Sequence, residues 1–110
     1  MERFVKGDVV VLPFPFSDLT LSKRRPALVV AAPGGDDLIL CQVTSQSVND
    51  NLSIELLSRD FAVGSLNKPS NIRPNRIFTA DRHIILYKIG SLNQDKLSSV
   101  TDRIIEILKQ

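Results

Sequence analysis

Residues 26–44, PALVVAAPGGDDLILCQVT, decide the fold. Two continuous apolar runs, 26–32 and 38–44, flank Pro33-Gly34-Gly35-Asp36-Asp37, a cluster of residues suited to tight turns. Runs of this length, rich in valine, isoleucine and leucine and stopped by such a cluster, read as two buried strands of one hairpin. In an antiparallel hairpin the start of the first strand and the end of the second lie at the same edge of the sheet. Arg25, just ahead of the first run, is therefore expected beside Thr44, the last residue of the second.

Outward from the hairpin, more short strands appear. Residues 7–16 (GDVVVLPFPF) open with β-branched residues and end on Pro13 and Pro15, which exclude a central strand beyond Leu12. Residues 17–24 are polar and read as a loop. Asn49-Asp50-Asn51 turns the chain into 52–57, where Leu52, Ile54 and Leu56 alternate with Ser53, Glu55 and Leu57. Residues 68–75 contain two prolines and read as irregular or edge structure, whereas 76–80 and 84–89 read as short strands. From Asn93 the period changes: Leu97, Val100, Ile104, Ile107 and Leu108 form one face of a helix, with Asn93 as N-cap and Asp95 at the positive end of the helix dipole. Ile105 falls off that stripe and is free for a partner. Five or six strands followed by one helix predict a mainly β chain, a small barrel or strongly bent sheet with the helix packed on it.

Composition narrows the chemistry. The 110 residues form one domain, 1–110, in which 43% hydrophobic and 24% charged residues fit a globular chain. No apolar run approaches the roughly 18 residues of a membrane helix, and the N-terminus lacks the order of a secretory signal, so a cytoplasmic domain without membrane contact is expected. One cysteine and one histidine are too few for a disulfide or a zinc site built on those residues. No metal and no cofactor is expected. Cys41 lies inside an apolar strand and reads as a small buried hydrophobe, His83 as a loop residue, and Asp36-Asp37 as a turn.

The net charge of +2 hides an uneven distribution. Residues 31–60 carry one basic and five acidic groups, and residues 61–90 five basic and one acidic. The basic excess lies in Lys23-Arg24-Arg25 and in Lys68, Arg73, Arg76, Arg82 and Lys88, which either solubilise the surface or, once brought together, track phosphates. Pro26 forces Arg25 into an extended conformation at the rigid start of a strand. There its planar fork of donors either pairs with a surface carboxylate or grips a phosphate. Thr44 either closes its strand by bonding its own backbone or joins Arg25 as a minimal oxyanion site. Phe14 and Phe16, beside Pro15, are placed either to stack on bases or to pack a dimer.

The series Gly7-Asp8-Val9-Val10-Val11, then Arg25-Pro26-Ala27-Leu28-Val29-Val30, then Val43-Thr44-Ser45 resembles the MazF/PemK family of toxin endoribonucleases. Arg76-Ile77-Phe78-Thr79-Ala80-Asp81, Lys88-Ile89-Gly90-Ser91-Leu92 and the terminal helix extend the resemblance over nearly the whole chain. It implies an SH3-like barrel with a C-terminal helix, a homodimer whose groove binds single-stranded RNA, metal-independent sequence-selective cleavage, and inhibition by a cognate MazE/PemI-like antitoxin whose acidic tail fills the groove. It also implies that Arg25 and Thr44 are catalytic. Lys23, Arg24, Ser45, Gln46, Arg73, Asn75 and Arg76 are the RNA-binding residues expected around them, with Lys23, Arg73 and Arg76 tracking the RNA backbone by their charge.

The resemblance assigns no general base. Many members carry a glutamate five residues before the arginine, where this chain has Thr20; another branch has an arginine and an aspartate before the 76–79 strand, where this chain has Arg73 and Asn75. Asp18, the nearest carboxylate in the loop, is taken for that role. Two other functions fit the same fold: a toxin that poisons a protein such as DNA gyrase without cleaving anything, and a module that binds nucleic acid only.

Overall fold

The computed structural model describes residues 3–14 and 23–110. Asp18, Phe16 and Thr20 lie outside the described residues. Among the described residues, seven strands form one antiparallel sheet: β1 (Asp8–Phe14), β2 (Lys23–Gly34), β3 (Asp37–Thr44), β4 (Ile54–Leu56), β5 (Phe61–Gly64), β6 (Ser70–Asp81) and β7 (Tyr87–Leu92). Helix α1 (Gln94–Leu108) follows. The order across the sheet is β4-β6-β3-β2-β1-β7-β5. Its two edges are the shortest strands, with three and four residues, and the sheet between them curls into a half-barrel.

The hairpin expected over 26–44 is present as β2 and β3, with Ala27 opposite Gln42 and Gly34 opposite Asp37. Its continuous apolar character has a plain cause: both faces of the central strands are covered. Val10, Leu12 and Phe14 of β1, Ala27 and Val29 of β2 and Leu38 and Leu40 of β3 share one core cluster with Phe4 and Ala80. The alternate residues, Val9, Leu28, Cys41 and Val43, share the other with Ile72, Leu92, and Leu97 and Val100 of α1. The helix starts as its sequence requires, the Asn93 side chain accepting the Lys96 N–H at 2.8 Å. Ile105, off the stripe, is exposed.

Several boundaries depart from the sequence reading, among them that of the strand expected at 84–89, which starts only at Tyr87, after a helical turn over Arg82–Ile84, and runs on to Leu92. β1 runs on through Pro13 to Phe14, but beyond Val11 it pairs with β2 alone, so proline occupies an edge position there. β2 begins at Lys23, inside the expected loop. β6 is continuous over both the proline-containing segment and the strand expected at 76–80. Between Gln42↔Arg73 and Cys41↔Ile77 its residues Pro74, Asn75 and Arg76 have no partner on β3, a bulge that accepts a residue without an N–H. β5, unanticipated, lies so close to β7 that a Cβ on Gly90 would stand 2.1 Å from the Val63 carbonyl oxygen. Phe14 is also reassigned. It is buried against Phe78, ring centroids 5.0 Å apart and planes at 81°, and belongs to the core rather than to an exposed stacking or dimer surface.

Candidate active site

Strand alternation alone selects the residues that meet at one end of the sheet. On β2, Arg25 shares a face with Ala27 and Val29; on β3, Gln42 and Thr44 share a face with Leu38 and Leu40. Extending the Ala27↔Gln42 register by two residues sets Arg25 across from Thr44. Arg73 stands opposite Gln42 on β6, and the bulge that follows puts Arg76 at the rim. These side chains surround a cavity of about 420 Å³, backed by Phe14, Ile77 and Phe78 and closed laterally by Gln46, Ser47 and Val48.

A second depression of about 470 Å³ lies on the other side of the same corner, lined by Arg24, Ser45, Lys68 and Tyr87 among others. Arg25 and Thr44 line both. They therefore form the saddle between two concave surfaces, each with its own cations. Lys23, at the exposed start of β2, and Asn75, exposed in the β6 bulge, line neither.

The hydrogen bonding at this corner is incomplete in a particular way. The Nε–H groups of Arg25 and Arg73 are buried and meet no acceptor among the described residues. A buried donor left unpaired costs about 1–3 kcal/mol, which an anionic oxygen brought to that wall would relieve. Thr44 is buried, and its Oγ1 accepts the Gln46 N–H at 3.2 Å, so the hydroxyl proton is still available to a ligand. The strand-ending bond expected of Thr44 is therefore present, and it uses one lone pair while leaving the donor free. Arg73 is held from outside the cavity, where Nη2 meets Asp50 Oδ2 at 3.4 Å. The Asp50 carboxyl lies below the usual carboxylate range, first because it accepts the Ser53 and Leu52 N–H groups and then because of Arg73. Among the described residues no carboxylate and no imidazole lines the 420 Å³ cavity. Three arginines on its walls, one of them paired with Asp50, give it a positive electrostatic character.

Gln42, Ser47, Val48 and Asp50 escaped the sequence reading. Gln42 did leave a signal, being the one polar residue inside the LILCQVT strand. Asp50 left none, since a turn aspartate looks the same whether or not an arginine lies across from it.

The remaining reactive residues lie elsewhere. Cys41 is fully buried and its thiol is pushed up to about 12 by burial, which suits an inert core residue. At the far end of β3, seven residues or roughly 23 Å from Thr44, ligand atoms of Asp36, Asp81 and His83 fall within 4.8 Å of one another, all three residues exposed. Arg82 Nε also bonds Asp36 Oδ1 at 2.9 Å, and His83 Nδ1 lies 2.7 Å from Asp81 Oδ1, so these groups are already engaged with one another. Among the described residues, no helix is long and apolar enough to cross a membrane.

Comparison with known proteins agrees with this architecture. MazF of Deinococcus radiodurans superposes with a TM-score of 0.79 over 100% of both chains at 19% identity. A MazE–MazF complex from the same organism gives 0.76 over 100% of both chains at 17% identity. A mycobacterial endoribonuclease in complex with its cognate antitoxin gives 0.73 over 97% of this chain and 96% of that one, at 10% identity. At such identities the likeness shows a shared fold. No curated protein matches the sequence. The model of the PemK-like, MazF-like toxins of type II toxin–antitoxin systems matches residues 5–108, nearly the entire chain. A curled sheet with one terminal helix, and a sequence that fits this model almost end to end, make the chain a member of the PemK/MazF-like toxin family.

Proposed function

We propose that this chain is the toxin of a type II toxin–antitoxin pair and acts as a metal-independent, sequence-selective endoribonuclease on single-stranded RNA. The observation that carries the reading is the pairing of Arg25, with its unsatisfied buried Nε–H, and Thr44, with its unused hydroxyl proton, on the saddle between two cationic depressions. Family membership supports it independently.

The chemistry follows from what such a corner supplies. Without a metal, the simplest route uses the ribose 2′-oxygen as nucleophile. It bonds to phosphorus, the P–O5′ bond breaks, and the products are a 2′,3′-cyclic phosphate and a 5′-hydroxyl. The step needs a base for the 2′-proton, stabilisation of the charge that builds on the non-bridging oxygens, and a proton for O5′. Arg25 serves the second need, as a fixed fork of donors beside the phosphate. It is ill suited to proton transfer, because a guanidinium with a pKa above about 12 holds its protons. Thr44 donates to the same phosphate. Asp18, in the segment next to Lys23, is proposed as the base.

Arg73 and Arg76 on one side, and Arg24, Lys68 and Ser45 on the other, follow the flanking backbone. Lys23 and Asn75 lie farther out as secondary contacts. Gln42, Gln46 and Ser47 offer donors and acceptors to a splayed base, the usual means of reading single-stranded RNA. A homodimer and a cognate antitoxin with an acidic extended tail complete the proposal; such a tail would be drawn to the same cations that bind RNA.

The decisive experiment incubates the purified chain with a long single-stranded RNA in excess chelator and maps the cut sites and their end groups. Cleavage at a recurring short sequence, leaving cyclic phosphate and 5′-hydroxyl ends, is expected. An uncut RNA, or cuts that vanish with chelator or leave 3′-hydroxyl and 5′-phosphate ends, would overturn the reading.

A further inference from the structure

The segment between Thr44 and β4 has no regular secondary structure over 45–53, yet it supplies one wall of the candidate active site through Gln46, Ser47 and Val48. An irregular segment so used needs something to hold it, and the structure provides three ties. At its near end Asn71 Nδ2 of β6 donates to the Gln46 carbonyl oxygen at 3.2 Å. In its middle Asp50 accepts the N–H groups of Leu52 and Ser53 at 3.0 and 2.9 Å through Oδ1, and meets Arg73 through Oδ2. At its far end Arg103 of α1 donates from Nη1 to the carbonyl oxygens of Asn51 and Leu52, at 3.2 and 2.9 Å.

These bonds form an unbroken chain. A helical arginine that does not itself line the cavity grips the two carbonyls directly after Asp50. Asp50 in turn grips Arg73, whose side chain stands in the cavity wall. Arg73 has a particular need of such support, since its buried Nε–H finds no acceptor and nothing else among the described residues bonds its guanidinium. Left to itself the side chain would gain both rotamer freedom and hydration by swinging outward.

We infer that Arg103 and Asp50 are positioning residues for substrate binding: Arg103 fixes the 50–53 turn, the turn aims the Asp50 carboxylate, and that carboxylate holds Arg73 in the wall where RNA phosphate is received. This rests on the ribonuclease reading for its RNA arm alone; the mechanical linkage stands on the hydrogen bonds. Neither residue touches substrate. Their loss acts on affinity and on the salt dependence of binding, leaving the bond-breaking step with Arg25 and Thr44.

The test uses Asp50→Asn, which keeps an oxygen for Leu52 and Ser53 but removes the charge facing Arg73, and Arg103→Met, which removes the grip on the two carbonyls. Arg103→Gln serves should the methionine variant not fold. The first readout is the Arg73 Nε–H resonance of the full chain, assigned by its loss in Arg73→Lys. In the parent chain it should exchange slowly, and in both variants it should be lost to exchange while the Arg25 signal persists. The second is binding of 2′-O-methyl RNA, which cannot be cut. Affinity should fall about two- to thirtyfold in each variant, with the double variant no worse than Asp50→Asn. Folded variants that melt at a lower temperature but keep the Arg73 resonance and the affinity would show a merely structural role and overturn the inference. If the parent chain neither binds nor cuts RNA while the resonance still responds, the ribonuclease reading fails and the linkage survives.

Discussion

Replacing Thr44 by valine removes one hydroxyl from the candidate active site and keeps the side chain's shape. The structure lets the consequences be separated. Thr44 is only 8% exposed and its β-branched outline packs at the end of β3, so valine fills the same space. Two polar functions are lost. The first is the acceptor for the Gln46 N–H, a neutral bond at 3.2 Å whose net worth is about 0.5–1.5 kcal/mol. The second is the proton offered to the phosphate, and deleting one such preorganised donor costs about 2.7–4 kcal/mol in the transition state, roughly 100- to 1,000-fold in rate. Stability and catalysis should therefore diverge: the melting temperature falls by a few degrees, whereas kcat falls by two to three orders of magnitude with KM little changed. Thr44→Ser supplies the control. It keeps the hydroxyl and loses one methyl group, at about 1 kcal/mol of stability, so its rate should stay within about tenfold of the parent. Cleavage of a fixed RNA in chelator, followed under single-turnover conditions beside a calorimetric melt, reads both quantities. A valine variant that cuts within tenfold of the parent would refute the role given to Thr44.

Three further outcomes follow from the same geometry. Arg76 is exposed at the rim with no ion pair among the described residues, so Arg76→Gln should weaken binding to all RNA sequences alike and flatten the log–log salt dependence by about 0.7; an unchanged slope in a titration between low and moderate salt would remove it from the backbone contacts. Asp50 has a carboxyl depressed by the Ser53 and Leu52 N–H groups and by Arg73, so it adds stability above the unfolded carboxylate range and loses it as pH falls through its lower folded value. Acid melts below about pH 4 should accordingly destabilise the parent more than Asp50→Asn, and parallel curves would contradict this. Cys41, with its thiol near 12 and walled in by the core, should resist a thiol reagent at pH 8 in the native chain and react fully in denaturant; rapid native labelling would place it wrongly.

What could be read from the chain before folding was whatever local chemistry states outright. The turn 33–37 between two apolar runs specified the central hairpin, and Asn93 with the stripe after it specified the helix; both sit where expected. The same hairpin logic brought Arg25 to Thr44 without any knowledge of the barrel. Failures occurred where a tertiary neighbour overrides local preference. β5 consists of Phe-Ala-Val-Gly, too short to alternate, and exists because Gly64 and Gly90 let two backbones come within contact. Pro74 argued against a strand, yet a bulge spares it the ladder bond it could not make, and Pro74 is fully buried there. Phe14, between two prolines, looked exposed because the Phe78 ring that covers it lies 64 residues away. Asp50 and Arg103 matter only through partners 23 and 51 or more residues distant, and no periodicity encodes such pairs.

Arg25 bears most of the account, and its removal tests it most directly. The measurement is the rate at which Arg25→Met and Arg25→Lys cut single-stranded RNA in excess chelator, relative to the parent chain. If a guanidinium clamps the scissile phosphate, the methionine variant should lose at least about 100-fold, and the lysine variant should recover little, since a single ammonium cannot reproduce the two-pronged grip. A methionine variant that stays folded and cuts RNA as fast as the parent would contradict the claim that this corner of the sheet is where the phosphodiester is broken.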